Sequence, residues 1–334
     1  MRVFISGMAG FLGSHLADRM LELGHEVVGV DSLIGGRMDN VPEAAEFHQC
    51  DCGDLNAMVR HTRGCDVVVH AACTAYEGLS VFSPHLVTQN TFQITATLLS
   101  AAVQNRVRRF VFCSSMARYG TQETLPFTEE MTPRPQDPYG IAKYAAEKLV
   151  ENLAAVHGME QVICVPHNII GPRQKYNDPY RNVASIMINL MLQGRQPVIY
   201  GTGKQKRCFS FVQDCVYCIE QLVTRSDVTG QLFNIGPDEE LVSINELAAV
   251  IADILNFKLA PIYVPDRPQE VRLASCSAAK ARAILGYKTT IGLREGLEQL
   301  AAFIEREGPR RFRYHLDLEI VNEKTPRTWV ERMF

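Results

Sequence analysis

The chain has 334 residues, 46% of them hydrophobic and 21% charged, the profile of a globular protein long enough to bury a core without disulfide staples. Thirty-four basic side chains against 37 acidic ones leave a formal charge of −3, which excludes a generally basic nucleic-acid binder. No charged-then-apolar leader opens the chain and no apolar run approaches about 18 residues, so a cytoplasmic protein without a membrane partner is expected.

Residues 3–6 (VFIS) read as a strand and 11–24 as the helix that follows. Gly7, Gly10 and Gly13 form a GxxGxxG turn between them. Such a turn lets backbone approach a dinucleotide pyrophosphate, which then rests on the helix N-terminus. A second strand over 26–31 ends in Asp31, 18 residues after Gly13. A carboxylate there accepts hydrogen bonds from the adenosine ribose and repels a 2′-phosphate, which favours NAD over NADP, although Arg37 lies close by in sequence. Asp51, after an expected third strand, is a candidate for the adenine end or a plain surface turn.

Residues 66–72, 109–115 and 161–167 continue the series of strands, and 87–104 and 139–158 read as long helices. Near-continuous apolar strands separated by helices predict an α/β protein with a Rossmann-type, doubly wound parallel sheet. Most of the ten cysteines sit in apolar runs (Cys65, Cys73, Cys113, Cys164) and read as small hydrophobes. Cys50/Cys52 and Cys215-x-x-Cys218 are closer pairs, but no second CxxC or HxxxH follows at zinc spacing, so no metal is expected. Instead DCVYCIEQLV reads as an amphipathic helix with both sulfurs near one face.

Past about residue 172 the texture changes: PRQKYNDPYRN is loop-like, and short strands (PVIY, LFNIG, PIYV) alternate with helices. Ser243 and Glu246 form a capping box ahead of a helix over 243–255. The tail from Gly308 is polar and basic, then semi-apolar, and reads as a solvated arm on the domain surface.

Tyr139 and Lys143 stand at i and i+4, so a helix projects them from one face. A phenol titrating near pH 10 must become about a thousandfold more acidic, about 4 kcal/mol, to act as a base near neutrality. A lysine cation and a positive nicotinamide ring both have the right sign for that. Ser115, at a strand end 24 residues upstream, offers a hydroxyl to the reacting sugar oxygen.

Taken in order, HAA (70–72), FVFCSSMARYG (110–120), DPYGIAK (137–143), HNIIGP (167–172), GTGKQKRCFSFVQDC (201–215), FNIG (233–236) and RPQE (267–270) resemble the extended short-chain dehydrogenase/reductases. The specific resemblance, over nearly the whole chain, is to the NAD-dependent sugar-nucleotide epimerase/dehydratase family, which includes UDP-glucose 4-epimerase. It implies Tyr139 as catalytic acid/base, Lys143 lowering its pKa and holding the nicotinamide ribose, and Ser115 assisting. For NAD it implies Gly7, Gly10, Phe11, Leu12, Gly13 and Asp31 at one end, with Asp51 and Cys52. Ala71, Ala72, Asn90 and His167 complete that cofactor set with Tyr139 and Lys143. For the sugar nucleotide it implies Arg207 and Arg267 on the diphosphate, Glu270 near the ribose, and Asn168 and Asn182 as further contacts. It also implies a Rossmann domain over 1–172, rejoined around 203–236, and a smaller substrate lobe from 173–202 and 237–334.

Departures from the family pattern narrow the chemistry. Met116 and Ala117 replace the acid/base side chains of the dehydratase, decarboxylase and 3,5-epimerase branches, and neither can move a proton. C4 inversion of a UDP-hexose through a 4-keto sugar is then the leading expectation. UDP-glucose and UDP-N-acetylglucosamine are the first candidates; an ungapped count from Arg267 sets Ala274, a small residue, beside the sugar. Arg118 either faces a uronate, as in UDP-glucuronate epimerisation, or pairs with an acidic helix. A dehydrogenase or reductase, and an NAD-bound regulatory protein, are the other readings. The family implies a homodimer through the helices at 87–104 and 139–158, with alanines at 101, 102, 145 and 146 allowing close approach.

Overall fold

A computed structural model describes Met1–Phe334. Seven strands form one sheet: β1 (Arg2–Ser6), β2 (Glu26–Asp31), β3 (Glu46–Gln49), β4 (Val67–His70), β5 (Arg109–Cys113), β6 (Glu160–Pro166) and β7 (Leu232–Ile235). They run in the order β7-β6-β5-β4-β1-β2-β3 with every pair parallel. Val, Ile and Phe fill β1, β4 and β5 because helices cover both faces. On one face, α1 (Phe11–Glu22) packs Leu16 and Met20 in one cluster with Ile219 and Leu222 of the helix Val212–Thr224. On the other, Met58, Leu98, Leu99, Ala146 and Val150 share a second cluster. Winding reverses between β1 and β4, so a crevice opens at the carboxyl ends of those strands.

A third cluster lies beyond the sheet, where Ile188, Leu247, Ile251, Leu297 and Leu300 bring together the helices Val183–Leu192, Ile244–Ile254 and Leu293–Glu307. The capping box there is formed as expected: the Ser243 hydroxyl accepts from Glu246 N–H at 3.1 Å and the Glu246 carboxylate accepts from Ser243 N–H at 2.7 Å. Cys215 and Cys218 are both buried in the core-facing side of their helix. No helix is long and apolar enough to cross a membrane.

The structure revises three expectations and decides between two readings of a fourth residue. The helix expected over 87–104 is broken into Pro84–Thr88 and Ile94–Gln104, because the Asn90 carbonyl leaves the helical ladder to accept Thr74 N–H at 3.2 Å. Ala101, Ala102 and Ala146 are wholly buried within their own subunit's core, so they do not offer a close-approach surface to a partner. The tail after Gly308 is not solvated along its length: Tyr314, Leu316, Leu318 and Trp329 pack on Tyr76, Phe82 and Tyr180. Arg118 points into the protein, where its Nε donates to both Glu147 carboxylate oxygens at 2.9 and 3.0 Å. Of its two readings, the ion pair with an acidic helix is the one realised.

Breaking one half of that buried pair leaves the other charge stranded. Arg118→Met is expected to lower unfolding free energy in urea by about 3–5 kcal/mol, and adding Glu147→Leu to recover most of the loss. Equal loss in the single and double variants would contradict the pairing.

Candidate active site

The crevice begins at the glycine turn. Gly7 has φ +75°, and a Cβ there would lie 3.0 Å from the backbone of Ala72. A Cβ on Gly13 would lie 2.1 Å from the Gly7 carbonyl oxygen. No side chain fits this turn, and its open floor suits a pyrophosphate against the first turn of α1. Below it, the Ser6 hydroxyl accepts from Ala72 N–H at 3.2 Å and lies 2.7 Å from His70 Nδ1, while His70 Nε2 lies 2.9 Å from Thr95 Oγ1. Burial pushes His70 down to about 3, so this chain of bonds is neutral and rigid.

Asp31 closes the cofactor end. Its carboxylate accepts Leu33 N–H at 2.7 Å, and burial raises its pKa against the pull of the backbone N–H groups of Leu33, Ala9 and Gly10. Arg37, the residue that argued for NADP, is engaged by Asp39 at 2.6 Å and Glu307 at 3.5 Å. Phe11, Leu12, Asp51, Cys52, Ala71, Ala72 and Asn90 all line the same wall. These residues fit NAD.

Tyr139 and Lys143 lie on the helix Pro138–His157, started by Asp137, whose carboxylate accepts Gly140 N–H at 2.9 Å and the Ser80 hydroxyl at 3.3 Å. Ser115 ends the segment after β5, and all three side chains line the cleft. Burial pushes the Tyr139 phenol well above its ordinary value, and Cys73 adds to this; the Ser115 hydroxyl and the Arg181 guanidinium pull the other way. Lys143 enters the cleft from the same helix face as Tyr139. Its ammonium donates to the Cys113 carbonyl at 2.7 Å and stands 6.0 Å from the centre of the Tyr139 ring.

At the far end, Glu270 sits between two guanidiniums. Arg267 donates to it at 2.7 and 2.9 Å, and Arg207 approaches at 3.4 Å. Two cations face Glu270, with the Glu77 carboxyl also close to both, in donor geometry suited to phosphate oxygens. Asn168 faces the cleft with its amide nitrogen bound to the Cys208 carbonyl at 3.0 Å. Asn182 also lines it, but both ends of its amide are used, on Ala184 N–H and the Ile169 carbonyl, to cap a helix.

Two expected positions fall outside the cleft. Along the extended end of β6, Pro166 and Asn168 face the crevice, so His167 between them faces away and packs by Gly236, fully buried. Ala274 lies in the core cluster with Phe127 and Cys276, so its small size opens no room for the sugar. Among the cleft residues that were not anticipated are Cys73, Glu77 and Arg181. Arg181 lies 5.2 Å over the Tyr76 ring. Glu77 opens onto the cleft, yet desolvation first, and then Asp137, push its carboxyl up to about 7 while Arg207 pulls against them. The only hint in sequence was charge within otherwise apolar or loop-like runs.

Comparison with known proteins agrees with this geometry. The model of the NAD dependent epimerase/dehydratase family matches residues 3–236. A UDP-glucose 4-epimerase of Mycolicibacterium smegmatis is 31% identical over 92% of this chain and 99% of its own. The structure of UDP-glucose 4-epimerase from Thermotoga maritima with UDP-glucose superposes with a TM-score of 0.88, at 29% identity, over 92% of this chain and 99% of that one. That of the Thermus thermophilus enzyme in complex with NAD gives 0.86, at 27% identity, over 91% and 99%.

Gly13→Ala places a methyl where the turn has no room, and is expected to weaken NAD binding about tenfold or more, about 1.4 kcal/mol. Nucleotide released from the heat-denatured protein, quantified by chromatography, checks this; wild-type NAD content in the variant would contradict the assignment of the turn.

Proposed function

The chain belongs to the NAD-dependent epimerase/dehydratase family, and from that premise we propose that it inverts C4 of a UDP-hexose through a transient 4-keto sugar. One observation carries the reading: Tyr139 stands in a single continuous cleft with the glycine turn at one end and the Arg207–Arg267 pair at the other. NAD, when bound, takes a hydride from C4 and gives it back, and its oxidised form adds positive charge to the site.

The chain's own residues supply the rest. Arg207 and Arg267 hold the diphosphate, so the hexose is anchored at one end and free to turn about its linkage. Tyr139 takes the proton of the C4 hydroxyl and later returns it to the keto oxygen, with the Ser115 hydroxyl sharing the hydrogen bond. Lys143 is fixed by the Cys113 carbonyl and holds the ribose end of the cofactor. Met116 and Ala117 are buried outside the cleft lining, which supports simple oxidation and re-reduction over dehydration or decarboxylation. The Thermotoga maritima relative, solved with UDP-glucose, supports the same substrate class.

Purified protein is expected to convert UDP-glucose to UDP-galactose by NMR without added cofactor. Tyr139→Phe should lower kcat by about 10²–10⁴-fold while leaving NAD content and UDP affinity intact; full activity in that variant would rule out the phenol as proton carrier. Glu77 adds a pH dependence. Neutral below about 7 and anionic above it, it repels a neighbouring diphosphate as pH rises. KM for the UDP-sugar should therefore climb between about pH 6 and pH 8, and Glu77→Gln should flatten that climb; parallel profiles for the two proteins would contradict it.

A further inference from the structure

The segment after Gly308 crosses from one lobe to the other and back. On the substrate side, Arg313 N–H donates to the Asn177 carbonyl at 2.9 Å and the Tyr180 hydroxyl to the Leu316 carbonyl at 3.2 Å. On the nucleotide side, the Ser83 hydroxyl donates to the Asp317 carbonyl at 3.1 Å. The Glu319 carboxylate accepts both His85 N–H and Leu86 N–H, at 2.9 and 2.8 Å, at the start of the helix Pro84–Thr88. Returning, the segment buries Trp329 edge-on against Phe82 and Tyr180, with ring centres 5.9 and 5.3 Å away.

What this segment touches is the wall behind the diphosphate pair. The Thr328 hydroxyl, fully buried, bonds the Tyr200 hydroxyl. The Tyr200 ring in turn lies 4.6 Å from the Arg267 guanidinium, in cation–π geometry. A Cβ on Gly78 would lie 3.1 Å from the Arg267 guanidinium and 3.7 Å from the Trp329 ring, so both pack over this glycine. Phe334 lines the cleft itself, held by the bond from its N–H to the Tyr314 hydroxyl at 3.1 Å.

We infer that residues 309–334 are a strap that completes the nucleoside-diphosphate end of the cleft, with Thr328 and Trp329 as positioning residues for Tyr200 and Arg267. This rests on the reading that Arg207 and Arg267 hold a diphosphate. The strap acts on affinity for the nucleotide, not on the chemistry at Tyr139, because its contacts lie behind the arginines. It also ties the two lobes together across the crevice, so the phosphate pocket is already assembled before substrate enters.

Calorimetric titration of the NAD-containing protein with UDP tests this, using Thr328→Val, which keeps volume and removes the bond to Tyr200, and Trp329→Ala. Each variant is expected to bind UDP about five- to tenfold more weakly, with kcat at saturating UDP-sugar and NAD content unchanged. UDP affinity equal to wild type in both variants overturns the strap alone, whether or not the melting temperature falls. Loss of NAD together with UDP overturns it as well, since a local positioning role spares the cofactor end. Wild-type protein that binds no UDP overturns the diphosphate reading and the strap with it.

Discussion

On the proposed mechanism, catalysis depends on what it costs to ionise a phenol that the crevice buries. Tyr139 is buried, and desolvation alone moves its proton affinity the wrong way for a base. The protein opposes this only in part, through the Ser115 hydroxyl and the Arg181 guanidinium. Bringing a phenol from pH 10 to near neutrality takes about 4 kcal/mol. One further unit charge at about 4 Å, in surroundings of effective dielectric about 20, contributes about 4 kcal/mol. A bound nicotinamide cation would supply a charge of that sign.

Rigidity supports that balance. Asp137 caps the helix that carries the phenol, the Ser6–His70–Thr95 chain locks the turn beneath the pyrophosphate floor, and Lys143 is held by a backbone carbonyl. At the other end, two guanidiniums are held by Glu270, and on the proposed reading a diphosphate would take the place of that partner. The strap over Tyr200 and Arg267 extends the same logic to the nucleotide. Only the hexose, between these two fixed ends, has freedom to turn, and an epimerase that presents both faces of a keto sugar needs that freedom there.

Much of this is legible in the chain itself, for physical reasons. Strands buried on both faces need continuous Val, Ile and Phe, so β1, β2, β4, β5 and β6 stand out, and a Gly-rich turn at a strand end has few alternatives. Alternation within a strand end is harder to read. His167 and Asn168 are neighbours in one motif, yet only Asn168 reaches the crevice. Ala274 depended on counting residues across a loop, and it lies in the core instead. Cys73 and Arg181 reach the cleft from irregular segments and Glu77 from the start of the four-residue helix Glu77–Ser80; Asp178 takes a bond from the Tyr76 hydroxyl at 2.6 Å, and no periodicity reports such paths. The tail looked solvated because its apolar residues are spaced irregularly; they dock individually on an aromatic surface contributed by distant segments.

Cys73 and Glu77 matter for one further reason: both can carry protons, so the inertness of Met116 and Ala117 does not by itself exclude chemistry at C3 or C5. Turnover of C4-deuterated UDP-glucose by the purified protein in ordinary water, and of unlabelled UDP-glucose in D₂O, decides the matter by NMR. Hydride shuttled at C4 within one site leaves the C4 deuterium in the UDP-galactose formed and puts none of the solvent's deuterium onto carbon. Solvent deuterium at C3 or C5, or washout of the C4 label, would contradict it.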